Sequence, residues 1–455
     1  MIQLSQTVSL VLKLALIGFL VLLLWLPTLL IGFLVAERAQ RRDEVQGEVS
    51  SSWGGEQTLQ GPVLSVPYRA PERVRPGQAA ALEGAIAWAH FLPEQLQISG
   101  QVEPVVRNRS LYEVVLYSAK LEVSGAFQRP DLGELGVAED AVLWERAVVS
   151  LGLGDLRGLR EVPRLAWADE TVPFTPGSGG GHFVPGLHAR LPEPRAGEAW
   201  TRGGKTFSFA LDLNGSGSLS FVPIGSETRV ELASPWPHPS FSGAFLPEHR
   251  EIADQGFTAS WKVLYLNRDY PQQWLGTADT AAAMACKLEQ SDFGVRLVYP
   301  VDAYQRSTRS VKYSMLFTVL TLVGFLVVEH GGRRPIHPVQ YLVIACALCL
   351  FYLLLLSLSE LIRFNLAYLV AAAAIVVMIT AYARAILGRV TLSALAGGVL
   401  LVVYGSLYVM LQLEDLALLL GTLLLLILLA TVMVLTRRLH HGSAQPPAPD
   451  PPASK

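Results

Sequence analysis

Six apolar runs, one near the start of the chain and five crowded into its last third, frame a polar stretch from residue 37 to residue 312. That arrangement constrains the fold more than any motif. Residues 14–36 form the first run, broken only by Trp25, Pro27, Thr28 and two glycines. At 1.5 Å of rise per residue it is long enough to cross a hydrocarbon layer of about 30 Å. Further runs cover 313–328, 339–359, 364–383, 392–411 and 416–436. Charged residues make up only 16% of the chain, against roughly 25% in ordinary soluble domains, which excludes a simple soluble enzyme.

The first run is longer than the 7 to 15 residues of a signal-peptide core, and it ends Leu34-Val35-Ala36-Glu37 rather than on a small-residue cleavage site. An uncleaved anchor is therefore expected. Six spans place both chain ends on one side. Arg333, Arg334, Arg384, Arg389, Arg437 and Arg438 fall in the connections and tail on one face, whereas the opposite short loops hold Arg363 and Glu414-Asp415. Because short basic loops are retained in the cytoplasm, that face is assigned there. Arg38, Arg41 and Arg42 depart from the rule, since they follow the first span on the exported side. The expected partition is a cytoplasmic start (1–13), an anchor (14–36), a periplasmic domain (37–312), spans two to six (313–436) and a cytoplasmic tail (437–455) whose proline-rich end is disordered.

The polar stretch carries 27 of the 36 Lys and Arg and 33 of the 38 Asp and Glu, a net of −6, so it offers no basic surface for nucleic acid. It holds Cys286 alone and so folds without an internal disulfide. Its dominant period is two. Ala119, Leu121 and Val123 alternate with Lys120, Glu122 and Ser124, the mark of a half-buried strand. Similar runs at 206–213, 218–222, 228–232, 257–266 and 295–299 are separated by Gly, Pro and Asn-Gly turns. These features predict an all-β body, sandwich or barrel-like, with one helix at 279–290. The glycine-rich stretch 174–186 reads as a loop between strand groups, leaving open whether the body has one lobe or two.

Familiar catalytic signatures fail on spacing or placement. Gly203-Gly204-Lys205-Thr206 ends like a phosphate loop, but position 199 is Ala199, so a turn before a strand is the better reading. No serine stands in a G-x-S-x-G elbow. His182, His188, His238 and His249 lack the tight pairing of a zinc site. Cys346 and Cys349 have redox spacing but lie inside an apolar run, where a thiolate is disfavoured, and read as small packing residues on one helix face. Glu329, Glu360, Arg363, Glu414 and Asp415 stand at span ends, so the spans themselves read as uncharged, which argues against a proton-coupled pump. Tyr404, Gly405 and Tyr408, with Gln412 a turn further on, form a stripe suited to helix packing or to a ligand.

Long segments resemble the CreD family of bacterial inner-membrane proteins. They are Ser216-Gly-Ser-Leu-Ser-Phe-Val-Pro-Ile-Gly225, Ser234-Pro-Trp-Pro-His-Pro-Ser-Phe-Ser-Gly-Ala-Phe-Leu-Pro247 and Gly256-Phe-Thr-Ala-Ser-Trp261 in the polar stretch. In the apolar part they are Val311-Lys-Tyr313, Ile336-His-Pro-Val-Gln-Tyr341, Leu355-Leu-Ser-Leu-Ser-Glu360 and Gln412-Leu-Glu-Asp-Leu-Ala-Leu-Leu-Leu-Gly421. The resemblance implies a stress-responsive cell-envelope integrity protein of the Gram-negative inner membrane. It supplies no catalytic residue, cofactor or metal.

The expectation is thus an α+β membrane protein with six transmembrane helices and a large all-β periplasmic domain inserted between helix 1 and helix 2. It is read as non-enzymatic, supporting or sensing envelope integrity. A lipid or small-amphiphile transporter is the alternative, because apolar cargo needs no buried charge. Expected partners are the bilayer, envelope lipids or other envelope proteins, and not nucleic acid; the oligomeric state is left open. Candidate functional residues are Trp236, His238, Glu360, Tyr404, Tyr408, Gln412, Glu414 and Asp415.

Overall fold

The computed structural model describes residues 6–70, 86–109, 112–177, 179, 186–192, 204–298, 303–332, 336–413 and 416–436. The chain divides into two compact units, Met1–Arg42 with Val301–Lys455, and Asp43–Pro300. The helices are α1 (Gln6–Trp53), α2 (Ala278–Glu289), α3 (Ala303–Gly332), α4 (Pro338–Ser359), α5 (Phe364–Leu387), α6 (Val390–Gln412) and α7 (Ala417–Thr436). Among the described residues, six helices are long and apolar enough to cross a membrane; α2 is not one of them.

In the first unit α1 runs antiparallel to α3. Lys13 meets Glu329 at one end, a Cβ on Gly32 would stand 3.7 Å from Val311 Cγ1, and the Arg42 guanidinium lies 5.5 Å over the Tyr304 ring at the other end. Phe325, Tyr341 and Phe351 are among the largest fully buried side chains and fill the interior. The helix ends follow local chemistry. His337 Nδ1 accepts from Val339 N at 3.3 Å while Gln340 Oε1 accepts from His337 N at 2.9 Å, a capping box with Pro338 at the first helical position. Gly388, at φ 65°, closes α5 in the left-handed conformation that glycine adopts without strain.

The second unit is a two-sheet β body. One sheet has eight strands in the order His249–Ala253, Gly256–Leu264, Glu227–Ser234, Gln95–Arg109, Tyr112–Phe127, Lys205–Ser216, Arg164–Trp167 and Glu170–Pro173. The other has nine, running Pro239–Gly243, Phe293–Leu297, Ser218–Phe221, Gln57–Arg69, Val148–Gly152, Gly186–Arg190 and Thr175–Pro176, with Ile86–Phe91 branching from Gln57–Arg69 and Gln273–Gly276 pairing with Ile86–Phe91. Two pairings are parallel: Gln57–Arg69 with Ser218–Phe221, and Glu227–Ser234 with Gln95–Arg109. The inner residues of both sheets, including Leu64, Leu121, Val123, Phe221 and Phe293, share one core, as in a sandwich. The expected alternation holds: Ala119, Leu121 and Val123 are buried, Lys120, Glu122 and Ser124 exposed. Lys205, from the phosphate-loop look-alike, opens a strand against Phe127.

Two expectations need correction and two readings are sharpened. α1 does not stop at residue 36 but continues to Trp53, so the helix at 278–289 has company in the polar stretch. The extension is legible once polarity is set aside: Val45, Gln46, Val49, Ser50 and Trp53 are half-buried at helical spacing, while Asp43, Glu44, Gly47, Glu48, Ser51 and Ser52 are exposed. It ends where the Gly54 and Gly55 amides both turn back to Ser50 O, at 3.0 and 2.8 Å. Gly54 sits at φ +133° with Asn214 O only 2.7 Å from where a Cβ would stand, so no other residue fits there. α3 begins at Ala303, ten residues before the apolar run. The glycine-rich stretch does not split the β body, because each sheet draws strands from both sides of it. Finally, Glu329 ends its span, as the sequence reading has it, and is buried there.

Candidate functional site

Sequence order scatters the polar groups of the helical unit, but packing gathers them at its two ends. At the end formed by the α4–α5 turn, Glu360 accepts from the Tyr304 hydroxyl at 3.2 Å and lies 3.9 Å from Arg38 Nη1. Asn365 Oδ1 accepts from Gln412 Nε2 at 2.9 Å and from Arg306 Nη1 at 3.3 Å, and the Arg306 guanidinium rests 5.5 Å over the Phe364 ring. Of the residues singled out from sequence, Glu360 and Gln412 are thus brought to one end of the unit, joined by Arg38, noted only as a departure from the charge rule, and by Tyr304, Arg306 and Asn365, which sequence reading passed over. Glu414 and Asp415 lie outside the described residues.

At the opposite end Glu329 accepts from the Tyr341 hydroxyl at 2.8 Å and from Ile336 N at 3.0 Å, and pairs with Lys13. Both of its oxygens face donors, which is the condition for keeping a carboxylate buried. The reading of the spans as free of charge missed Lys13, one residue before the apolar run.

Between these ends is an aromatic cluster. Phe351 stands 4.7 Å from Tyr404, 5.5 Å from Tyr368 and 5.0 Å from Tyr352, centroid to centroid, and Tyr368 is 5.2 Å from Tyr408. The Tyr368 hydroxyl donates to Tyr404 O at 2.6 Å. Tyr404 and Tyr408 therefore pack the helix interior. Gly405 faces outward with open space beyond it, so the expected stripe does not include it. Cys349 packs on the core but Cys346 is exposed, which corrects their placement as a packed pair.

In the β body Trp236 braces two backbone oxygens, one of them that of His238. Trp236 is buried and its Nε1 donates to His238 O at 3.1 Å and Val298 O at 3.2 Å. His238 contributes that backbone oxygen, while its ring is exposed. Gln57, also missed, is 1% exposed; its Nε2 donates to Gly54 O, Asp155 O and Asn214 O at 2.6, 3.0 and 3.1 Å. Arg268 donates to Ile224 O at 3.2 Å and Tyr270 O at 3.3 Å and stacks 4.3 Å over the Tyr270 ring. Burial pulls the Arg268 guanidinium below its ordinary pKa and pushes the Tyr270 phenol above its own, because both charged forms lose water. His188 hydrogen-bonds Gly177 O at 2.8 Å and the Thr175 hydroxyl at 3.2 Å; His182 lies outside the described residues. Among the described residues no group of three or more His, Cys, Asp or Glu could hold a metal ion.

The outer face of the eight-stranded sheet encloses an open cavity of about 1120 Å³, lined by Lys120, Glu122, Arg164, Asp212, Glu231 and Glu251 among others. Its floor is polar because alternate residues of each strand must face away from the core.

Comparison with known proteins agrees with the motifs. A family model described as "Inner membrane protein CreD" matches residues 9–441. The Inner membrane protein CreD of Escherichia coli (strain K12) is 33% identical over 403 residues, covering 88% of this chain and 87% of that protein. Among solved structures, an M1 zinc metallopeptidase from Deinococcus radiodurans aligns at a TM-score of 0.18 and 9% identity, and a mutant of it at 0.19 and 10%, each over 38% of both chains. A likeness that slight carries no argument about fold or chemistry.

Proposed function

The chain belongs to the CreD family of inner membrane proteins, and on that premise we propose that it is a non-enzymatic protein that supports or senses cell-envelope integrity through its β body. The observation that carries this reading is the two-point tether. The sandwich of Asp43–Pro300 leaves the chain's first membrane helix and returns directly into α3, so both of its ends are fixed to membrane helices. A body so held can transmit a load or a binding event to the bundle. The interior of the helical unit, filled by Phe325, Tyr341 and Phe351, suits a scaffold or sensor better than a conduit for cargo.

The β body is exported and both chain ends are cytoplasmic. This follows from the arginines at 333, 334, 384, 389, 437 and 438, which the positive-inside rule retains within the cell. Reporter fusions at Ser216 and Arg389 should show opposite sidedness; matching sidedness would overturn the topology. For the function, a strain lacking the gene should regain resistance to envelope-targeting agents with the wild-type chain. A Leu121→Asp chain, with a charge driven into the sandwich core while the spans stay intact, should fail to restore it. Equal rescue by both would remove the β body from the function.

A further inference from the structure

Lys312 is an exposed lysine within a membrane-spanning helix, and its depth can be read from its neighbour. Val311 of α3 is level with Gly32 of α1, the residue whose Cβ it would touch. Gly32 lies five residues before Glu37, the first charged residue after the anchor, so Lys312, one residue deeper than Val311, stands about 9 Å of helix rise below that boundary. At this height α1 turns apolar side chains outward: Leu30 is 61% and Phe33 70% exposed. The Lys312 ammonium forms no hydrogen bond or ion pair with another described residue. A charge at such a depth must reach the interface along its own alkyl stem. One turn towards the helix start, Thr308 is exposed, so the stem leads to a hydroxyl.

From this geometry we propose that Lys312, with Thr308, binds the phosphodiester of an anionic phospholipid whose acyl chains lie against the apolar outer face of α1 and α3. The carboxylates of this end do not substitute for it. Glu360 is engaged by Tyr304 and Arg38, and Glu37 starts a turn and a half further out along α1. The phosphate layer of the bilayer is the anion at the height the lysine reaches. The proposal requires that the helical unit be in a membrane; it does not depend on which side holds the β body or on the envelope role.

The test uses the full chain, purified with its lipids and then titrated in nanodiscs with phosphatidylglycerol or phosphatidylcholine, bound lipid being read by mass spectrometry. The wild-type chain should retain phosphatidylglycerol over phosphatidylcholine, and Lys312→Met should lower that retention roughly five-fold, the effect of one cation at an anionic surface. Methionine keeps the apolar stem, so folding is spared, and Lys312→Arg should restore the preference. Inorganic phosphate at the same concentration should not displace the lipid. Equal retention of the two lipids by the wild-type chain, unchanged retention in Lys312→Met, or displacement by inorganic phosphate, which would mark a soluble-anion site, would each overturn the proposal.

Discussion

Lys13 and Glu329, 316 positions apart, form an ion pair that fastens the start of α1 to the end of α3. Glu329 also takes the Tyr341 hydroxyl and the Ile336 amide, so three separate segments converge on one carboxylate. Removing one member strands the other. Glu329→Gln should destabilise the helical unit by about 2 kcal/mol, below the 3–5 of a fully buried pair because the Lys13 side chain is 23% exposed. The double change Lys13→Met with Glu329→Met should recover much of that loss. Denaturation midpoints in detergent check both, and a double variant worse than the single would refute the account.

Gln57 makes a similar junction in the β body by tying the distant carbonyls of Asp155 and Asn214 to that of Gly54, three residues away. Gln57→Leu keeps the volume but leaves those carbonyls unpaired in a dry site. A loss of about 2–3 kcal/mol is expected. Hydrogen exchange of the full-length chain should show early loss of protection along Gln57–Arg69.

Trp236 and His238 should separate cleanly. Trp236→Phe removes the donor to His238 O and Val298 O and should cost about 1–2 kcal/mol. His238→Ala keeps the backbone oxygen and should change stability by less than about 0.5 kcal/mol. Equal damage from both, read by limited proteolysis, would mean that the imidazole has a role of its own.

Asp292 gives the β body a pH dependence of unusual sign. Burial first, and the neighbouring Glu289 charge second, raise its pKa above the ordinary carboxylate value, against an opposing hydrogen bond from Ser220. The folded state then holds a proton that the unfolded chain has released. Stability is therefore lost as pH rises from the unfolded to the folded value and is regained on acidification through the same window. Asp292→Asn should stabilise the β body at neutral pH and remove that part of the slope. Proteolytic resistance of the wild-type and variant chains, compared at mildly acidic and neutral pH, reads it out. Asp155 runs the other way, since its hydrogen bonds with Arg157 hold its pKa down and its contribution is lost as pH falls.

The sequence by itself determined what depends on local pattern. Runs of apolar residues placed α4, α5, α6 and α7 within a few positions of their ends, because spanning a bilayer is a requirement on consecutive residues. Alternation placed the strands around Leu121 and Val123, because the two-residue period acts within one segment. Polarity misled at residues 37–53, where the helix was written in Val45, Val49 and Trp53 rather than in overall hydrophobicity. What only the tertiary structure decided was which distant groups meet. Glu360 and Gln412 could be singled out, but Tyr304, Arg306 and Asn365 join them only when the helices pack. Lys13 finds Glu329, and Gln57 its three carbonyls, for the same reason. A charged or polar group buried away from water must be satisfied, yet that requirement leaves its partner's place in the chain unspecified.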